Sequence, residues 1–153
     1  MLPENSTITG IAHVIQLAVA PVFLLSGIAA MLGVMMNRLA RIVDRARTLE
    51  SQSLGASPEM RTWLEKELGL LSRRALSIGH AITLCTVTAL LVCAVIATLF
   101  LGAFFNFNPY VPVGITFVLA MLCFFVGLLS FLREVFVATA SLRIGLPPVE
   151  PTA

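Results

Sequence analysis

The sequence has little charge, and the charge is unevenly placed. Asp, Glu, Lys and Arg make up 12% of the residues, about half of what ordinary soluble domains carry. None of them occurs in the 58 residues 75–132 or in the 33 residues 5–37. A soluble chain of 153 residues could not bury so much apolar surface. This composition excludes a soluble globular domain and predicts an integral membrane protein.

Catalytic and metal-binding motifs are also lacking. The three cysteines, Cys85, Cys93 and Cys123, have no CxxC spacing, which argues against a disulfide framework or a zinc site. There is no P-loop, no HExxH and no Gly-rich nucleotide motif. His13 lies near the start of the first apolar stretch and His80 near the start of the second. Because consecutive spans run in opposite directions, we expect the two at opposite faces of a core about 30 Å thick, so one subunit cannot bring them together. The sequence predicts no enzyme activity, no catalytic residue, no cofactor and no metal.

The apolar stretches are long enough for three membrane spans. One span needs about 20 apolar residues, and the second charge-free stretch is interrupted at residues 106–109, Asn-Phe-Asn-Pro. We therefore expect spans at residues 8–36, 77–105 and 111–132. No basic residue precedes the first span, which argues against a signal peptide. The expected fold class is an all-α integral membrane protein consisting of a single membrane domain.

The segment between the first two spans, residues 38–74, carries 13 of the 18 charged residues. Apolar residues recur at helical spacing after Asn37, which predicts that the first helix continues to about residue 54. Gly55 suits a helix end, and Ser57-Pro58-Glu59 predicts a new helix start. The segment is therefore expected to form an antiparallel helical hairpin. After the third span, residues 133–144 are expected to extend the helix, and residues 145–153 form a tail.

The basic residues predict the topology. Eight of the ten Lys and Arg lie in the hairpin, and the other two, Arg133 and Arg143, follow the third span. The positive-inside rule then places the N-terminus outside and the hairpin and C-terminus in the cytoplasm. Five acidic residues offset the eight basic ones, a balance of about +3 that argues against nucleic acid. The lipid bilayer is the expected partner, with boundary arginines near anionic headgroups.

Two packing features stand out. Glu67 interrupts the apolar face of the second hairpin arm, so we expect it to pair with Arg41, Arg45 or Arg47. The second span carries small residues at four-residue spacing, a pattern that lets membrane helices approach closely. These residues are Ala81, Cys85, Ala89, Cys93 and Ala97.

Two sequence stretches carry a family resemblance. Residues 13–27, HVIQLAVAPVFLLSG, and residues 37–47, NRLARIVDRAR, resemble the small bacterial membrane proteins grouped as "domain of unknown function 2721". The resemblance covers residues 8–145, including Phe131-Leu-Arg-Glu134. It implies three-span placement in a bacterial inner (plasma) membrane and brings no established activity. It also implies that the following residues belong to the family motif: His13, Gln16, Pro21, Asn37, Arg38, Arg41, Asp44 and Arg45.

These features favour a non-enzymatic membrane protein that self-associates through its helices. A homo-oligomer could enclose a small channel, with His13 and Gln16 lining its outer mouth. The alternative hypothesis is an accessory or scaffold protein that docks a membrane-protein partner through Met60 and Trp63 on the hairpin.

Overall fold

The described part of the protein consists of three long α-helices. The computed structural model describes residues 4–53, 55–105 and 108–141, with side chains for 12–53, 55–105 and 108–136. Helix α1 spans Glu4–Ser53, α2 spans Pro58–Phe105 and α3 spans Tyr110–Ser141. Each contains a window long and apolar enough to cross a membrane. Large apolar side chains such as Phe23, Leu90 and Phe125 are exposed around the helices, where lipid would cover them. The predicted all-α fold with three apolar helices is confirmed.

Helix α1 runs without interruption from the first apolar stretch into the charged segment. Pro21 lies inside the helix and is buried, although proline removes one backbone hydrogen bond. No further proline follows between Pro21 and Ser53, and the helix continues past Asn37 and Arg38. Residues of the expected tail, and 142–144 of the expected C-terminal extension, lie outside the described residues.

Both turns are built by short polar residues and proline. At the first turn, the Ser57 hydroxyl accepts a hydrogen bond from the Met60 N–H at 3.4 Å, and Pro58 starts α2. This is the arrangement expected of a serine N-cap followed by proline. At the second turn, the Asn108 side-chain oxygen accepts from the Tyr110 N–H at 3.1 Å. Such Asx turns redirect the chain before α3 begins.

Helix α2 is the central element and packs against both α1 and α3. Its buried residues fall on two lines with a seven-residue period, as in a coiled coil. The first line includes Leu64 and Leu71, which pack against Leu49 of α1. The second line meets α3. The first line is Leu64, Leu71, Ile78, Cys85, Val92 and Leu99; the second is Ala81, Thr88, Val95 and Gly102.

The outer helices follow the same period. On α1 the positions seven apart are Pro21, Ile28, Met35, Ile42 and Leu49, all buried except the half-buried Ile42. On α3 they are Ala120, Gly127 and Glu134, all buried. A β-carbon added at Gly127 would lie 3.2 Å from the Leu84 β-carbon and 3.3 Å from the Cys85 sulfur, so α2 and α3 pack very closely there.

The four-residue ladder of small residues on α2 does not form one interface. Ala81 and Cys85 are buried, Ala89 is half-buried, and Cys93 and Ala97 are exposed. A step of four residues advances about 400° around an α-helix, so the ladder rotates about 40° per step and leaves the contact. A seven-residue step stays on one side of a supercoiled helix, and the packing follows it.

Candidate functional site

A buried ion pair joins α2 and α3 near the point where the apolar part of the bundle meets the charged hairpin. The Arg74 Nε donates to the Glu134 Oε1 at 2.9 Å. Glu134 is 3% exposed, whereas Arg74 is partly open to solvent. Removing a carboxylate from water is costly unless a cation and hydrogen bonds compensate, and Arg74 supplies both.

Helix α1 joins this junction through a second arginine. The Arg38 guanidinium lies over the Phe131 ring, 5.6 Å from its centroid. Cation–π contacts of this kind contribute roughly 0.5–2 kcal/mol depending on desolvation. Arg38, Arg74, Phe131 and Glu134 therefore connect all three helices, and we call these four residues the polar junction. Two guanidinium groups and one carboxylate leave it with an excess of positive charge.

The polar junction was only partly predictable. Arg38 was an expected site residue, and Phe131 and Glu134 lie in the third-span exit that the resemblance included. The pairing of Arg74 with Glu134 was missed. The signal that could have found it is the seven-residue step from Ala120 through Gly127 to Glu134, which puts the acid on the helix-packing line.

A second arrangement lies on the outer face of α1, away from its contact with α2. Of the expected site residues, His13, Gln16, Asn37, Arg41 and Asp44 are all exposed there. They belong to one line with alternating steps of three and four residues, the spacing of a coiled-coil contact. We call this line the α1 seam. Its ten members are His13, Gln16, Ala20, Phe23, Gly27, Ala30, Val34, Asn37, Arg41 and Asp44, all exposed.

The remaining expected residues lie elsewhere. Pro21 is on the α2-facing line of α1 and is buried. Arg45 lies at the hairpin tip, where it lines a cleft of about 650 Å³. Met60 and Trp63 line the same cleft, and both are half-buried because they also pack on Leu49 and Leu64. We call this the tip cleft; further residues lining it include Gln52 and Ala56.

The expected ion pair of Glu67 is absent. Among the described residues, the Arg74–Glu134 contact is the single salt bridge, so Glu67 does not pair with Arg41, Arg45 or Arg47. Glu67 is half-buried, and no side-chain oxygen in the described part of the chain is buried without a partner, so its carboxylate is hydrated. The prediction was wrong because a hydrated carboxylate at the edge of the apolar face needs no cation.

Nothing in the described ranges resembles a metal centre, since no group of three His, Cys, Asp or Glu side chains comes together there. The cysteines are free: Cys85 is buried, Cys123 is half-buried and Cys93 is exposed. The buried hydroxyl of Thr88 donates to the Leu84 carbonyl at 2.9 Å and is therefore satisfied locally. The described side chains thus offer two arginine-containing sites and an outward seam.

No curated protein and no solved structure matches this sequence. One family model does match, over residues 18–144, and its description is "Protein of unknown function (DUF2721)". The matched range contains the polar junction, the tip cleft and most of the α1 seam, but it begins after His13 and Gln16. With more than half of its length matched, the chain belongs to the DUF2721 family.

Proposed function

We propose that this protein is a non-enzymatic homo-oligomer of the bacterial inner membrane, assembled through the α1 seam. In this proposal the N-terminus is outside, and the hairpin and C-terminus are in the cytoplasm. The distribution of Lys and Arg supports that orientation. Anionic lipid headgroups then surround the exposed arginines near the polar junction.

The observation that carries the proposal is the composition of the seam. It lies on α1 away from the α2 contact, and its polar side chains form no ion pair among the described residues. Small residues at Ala20, Gly27 and Ala30 leave room for a second helix, and no atom lies within 4 Å of a β-carbon added at Gly27. Close approach of backbones is what drives helix association in lipid.

The polar ends of the seam favour a second copy of the same chain as the neighbour. Subunits inserted in one orientation bring like residues together around a symmetry axis. The Gln16 and Asn37 amides can each donate to and accept from their own copies. Arg41 and Asp44 form no ion pair with each other in the described chain and can pair across the interface.

A conduction path, in this proposal, lies between subunits rather than within one. The contact between α1 and α2 is closed by side chains of 0–1% exposure, including Ile28, Met35 and Ile78. Such packing leaves no room for water. A path between copies would instead pass His13 and Gln16 at its outer mouth, and single-channel recording in a planar bilayer tests it.

Two neighbouring exposed alanines provide the test of self-association. Ala30 is on the seam and Ala29 faces another side of α1. We expect Ala30→Leu to shift the protein toward monomer in native mass spectrometry from mild detergent. Ala29→Leu, a matched change in volume, should leave the wild-type oligomer intact. A monomeric wild type, or disruption by Ala29→Leu alone, would refute assembly through the seam.

The tip cleft supports a second candidate function, docking of a membrane-protein partner. The observation in its favour is that Trp63 and Met60 are incompletely covered by the hairpin arms. Aromatic and methionine side chains are enriched at such contacts. A photo-crosslinking residue at Met60 should then capture a second, different polypeptide in cells, whereas one at the exposed Glu59 should not.

A further inference from the structure

The polar junction holds two guanidinium groups that use few of their hydrogen-bond donors. Arg74 donates through Nε to Glu134, and its two Nη groups make no hydrogen bond within the described residues. Arg38 makes no hydrogen bond or ion pair in those residues, and its guanidinium lies over the Phe131 ring. Both arginines are half-buried, so water reaches them less than it reaches a surface arginine. Cationic donors in such a position favour an anion as acceptor.

The two guanidinium groups are held at neighbouring positions of α3. Their partners Phe131 and Glu134 are three residues apart, which is about 4.5 Å along the helix axis, and residues at this spacing are neighbours on the helix surface. A phosphate group has several acceptor oxygens and can bind two guanidinium groups at once. Glu134 balances one of the two arginines, so a phosphodiester with one negative charge would neutralise the remaining positive charge.

The polar junction lies at the level where a membrane lipid carries its phosphate. Arg38 immediately follows the first charge-free stretch, Arg74 immediately precedes the second, and Glu134 lies two residues beyond its end. These stretches contribute most of the apolar windows that are able to cross a membrane. The headgroup layer of one leaflet therefore surrounds the junction and presents phosphodiesters to it.

An apolar crevice leads from the junction into the apolar part of the bundle. Helices α1 and α3 both pack on α2, and the described chain has little close backbone contact between α1 and α3. Met31 and Leu24 precede Arg38 by seven and fourteen residues on α1. Phe124 precedes Phe131 by seven residues on α3. Leu24, Met31 and Phe124 are half-buried against the core around α2, so each keeps an open side that an acyl chain can cover.

We propose that the polar junction of each subunit binds one anionic phospholipid. Arg38 and Arg74 bind its phosphodiester, and one acyl chain lies along the crevice between Met31 and Phe124. The charge balance selects a lipid with one net negative charge, such as phosphatidylglycerol. Zwitterionic phosphatidylethanolamine is disfavoured, because its ammonium group would restore the positive excess.

The site is independent of self-association, because it uses no residue of the α1 seam. Its assignment to the cytoplasmic leaflet rests on the proposed orientation, whereas binding to the purified protein does not. Native mass spectrometry counts bound lipids and subunits in the same spectrum, so it reads the two proposals separately. Loss of lipid binding from an intact oligomer would refute the lipid site alone, and lipid-bound monomers would refute self-association alone.

The first experiment compares ligands on the purified full-length protein in mild detergent. We expect one phosphatidylglycerol per subunit at saturation. Phosphatidylethanolamine with the same acyl chains should bind about tenfold more weakly, since one uncompensated charge costs at least the corresponding free energy. Inorganic phosphate at the same concentration should not displace the lipid. Equal affinity for the two lipids, or displacement by inorganic phosphate, would overturn the assignment to an anionic lipid.

The second experiment separates the site from general surface charge. Arg38→Gln should lower the affinity for phosphatidylglycerol about tenfold, because a charge-assisted hydrogen bond is lost. Arg73→Gln makes the same charge change at an exposed neighbouring position and should lower it by no more than about twofold. Equal losses in the two variants would overturn a defined site, since diffuse attraction to headgroups would explain both.

A conservative variant guards against misfolding of Arg38→Gln. Arg38→Lys keeps a cation beside Phe131 but loses the planar donor fork, so we expect an affinity between those of the wild type and Arg38→Gln. Wild-type affinity in both Arg38 variants would overturn the proposal.

Discussion

At the scale of single residues, Glu134 is the one charged side chain among the described residues that is buried. It is an acid on a helix-packing line otherwise made of small residues, Ala120 and Gly127. A small side chain there would let α2 and α3 pack closely, whereas a carboxylate has to be neutralised. Arg74 is on the facing line of α2, at the level where its Nε reaches the carboxylate. The pair therefore fixes the relative height of the two helices.

Replacing Arg74, the cation of the buried ion pair, should destabilise the protein more than replacing the neighbouring Arg73. Arg74→Ala leaves Glu134 buried and uncompensated, which costs about 3 kcal/mol or more. Arg73→Ala removes an exposed arginine and should change stability little, since surface charges contribute at most about 1 kcal/mol. Thermal unfolding of both variants in the same detergent measures the difference. Equal shifts in midpoint would contradict a structural role for the pair.

Residue positions were predictable where the signal was local. The Ser57 cap follows from a short polar residue before Pro58, and the hydrogen bond to Met60 bears it out. Partners across helices were not predictable in the same way. Glu67 was predicted to pair with arginines that it does not contact, and no acidic partner was predicted for Arg74. Such pairs depend on the register between helices, which a helical wheel of one segment does not contain.

At the scale of elements, the turn between α2 and α3 brings the end of one helix into close contact with the start of the next. A β-carbon on Gly102 would lie 2.7 Å from the Pro109 Cγ and 2.9 Å from its Cβ. Proline's ring is rigid, so it cannot move aside as a flexible side chain would. The glycine thus allows the end of α2 to lie directly against the start of α3.

Two glycine substitutions in α2 should have effects of opposite sign. Gly102→Ala forces α2 away from Pro109 and should destabilise the fold by about 1–3 kcal/mol. Gly79→Ala meets no atom within 4 Å and should stabilise the helix by roughly 0.5–1 kcal/mol. Chemical or thermal unfolding of the two variants checks the signs. A stabilising Gly102→Ala would show that the turn is looser than described.

Element lengths were predictable, but helix packing was less so. Unbroken apolar and amphipathic periodicity was enough to predict that α1 passes from apolar to charged sequence without a break, and the helix does so. The four-residue ladder on α2 is only partly in contact within the subunit, since Ala81 and Cys85 are buried whereas Cys93 and Ala97 are exposed. A membrane helix is apolar on every side, so its composition does not distinguish the lipid-facing side from the packed side. The seven-residue period of helix packing is seen only in which residues of each helix are buried.

At the scale of the whole molecule, the proposed orientation gives a direct prediction. Starting from a chain whose three cysteines are replaced by alanine, single cysteines can be placed at the exposed Glu59 and Asn108. Intact cells treated with a membrane-impermeant maleimide should label Asn108→Cys. Glu59→Cys should react only after permeabilisation, because the hairpin is in the cytoplasm. The reverse pattern would contradict the proposed topology.

The overall architecture could be predicted from the sequence because few backbone conformations are stable in lipid. Charge-free stretches of sufficient length must be helical, since every backbone group has to be satisfied within the segment. The site did not follow in the same way. Its parts come from three helices and meet through supercoiled packing. The residues of the family motif divide between the outward seam, a buried line, the polar junction and the hairpin tip.

The continuity of α1 and α2 across the polar junction has a mechanical consequence. The packing line from Pro21 to Leu49 crosses the junction without a change of period, so the two arms and the spans form one stiff rod rather than two jointed parts. Leu49 is 14 residues beyond Met35, about 21 Å along the axis. A tilt of about 10° in the bilayer would therefore swing the hairpin by about 4 Å at that point. Changes in bilayer thickness that tilt the spans thus become lateral displacements far from the lipid.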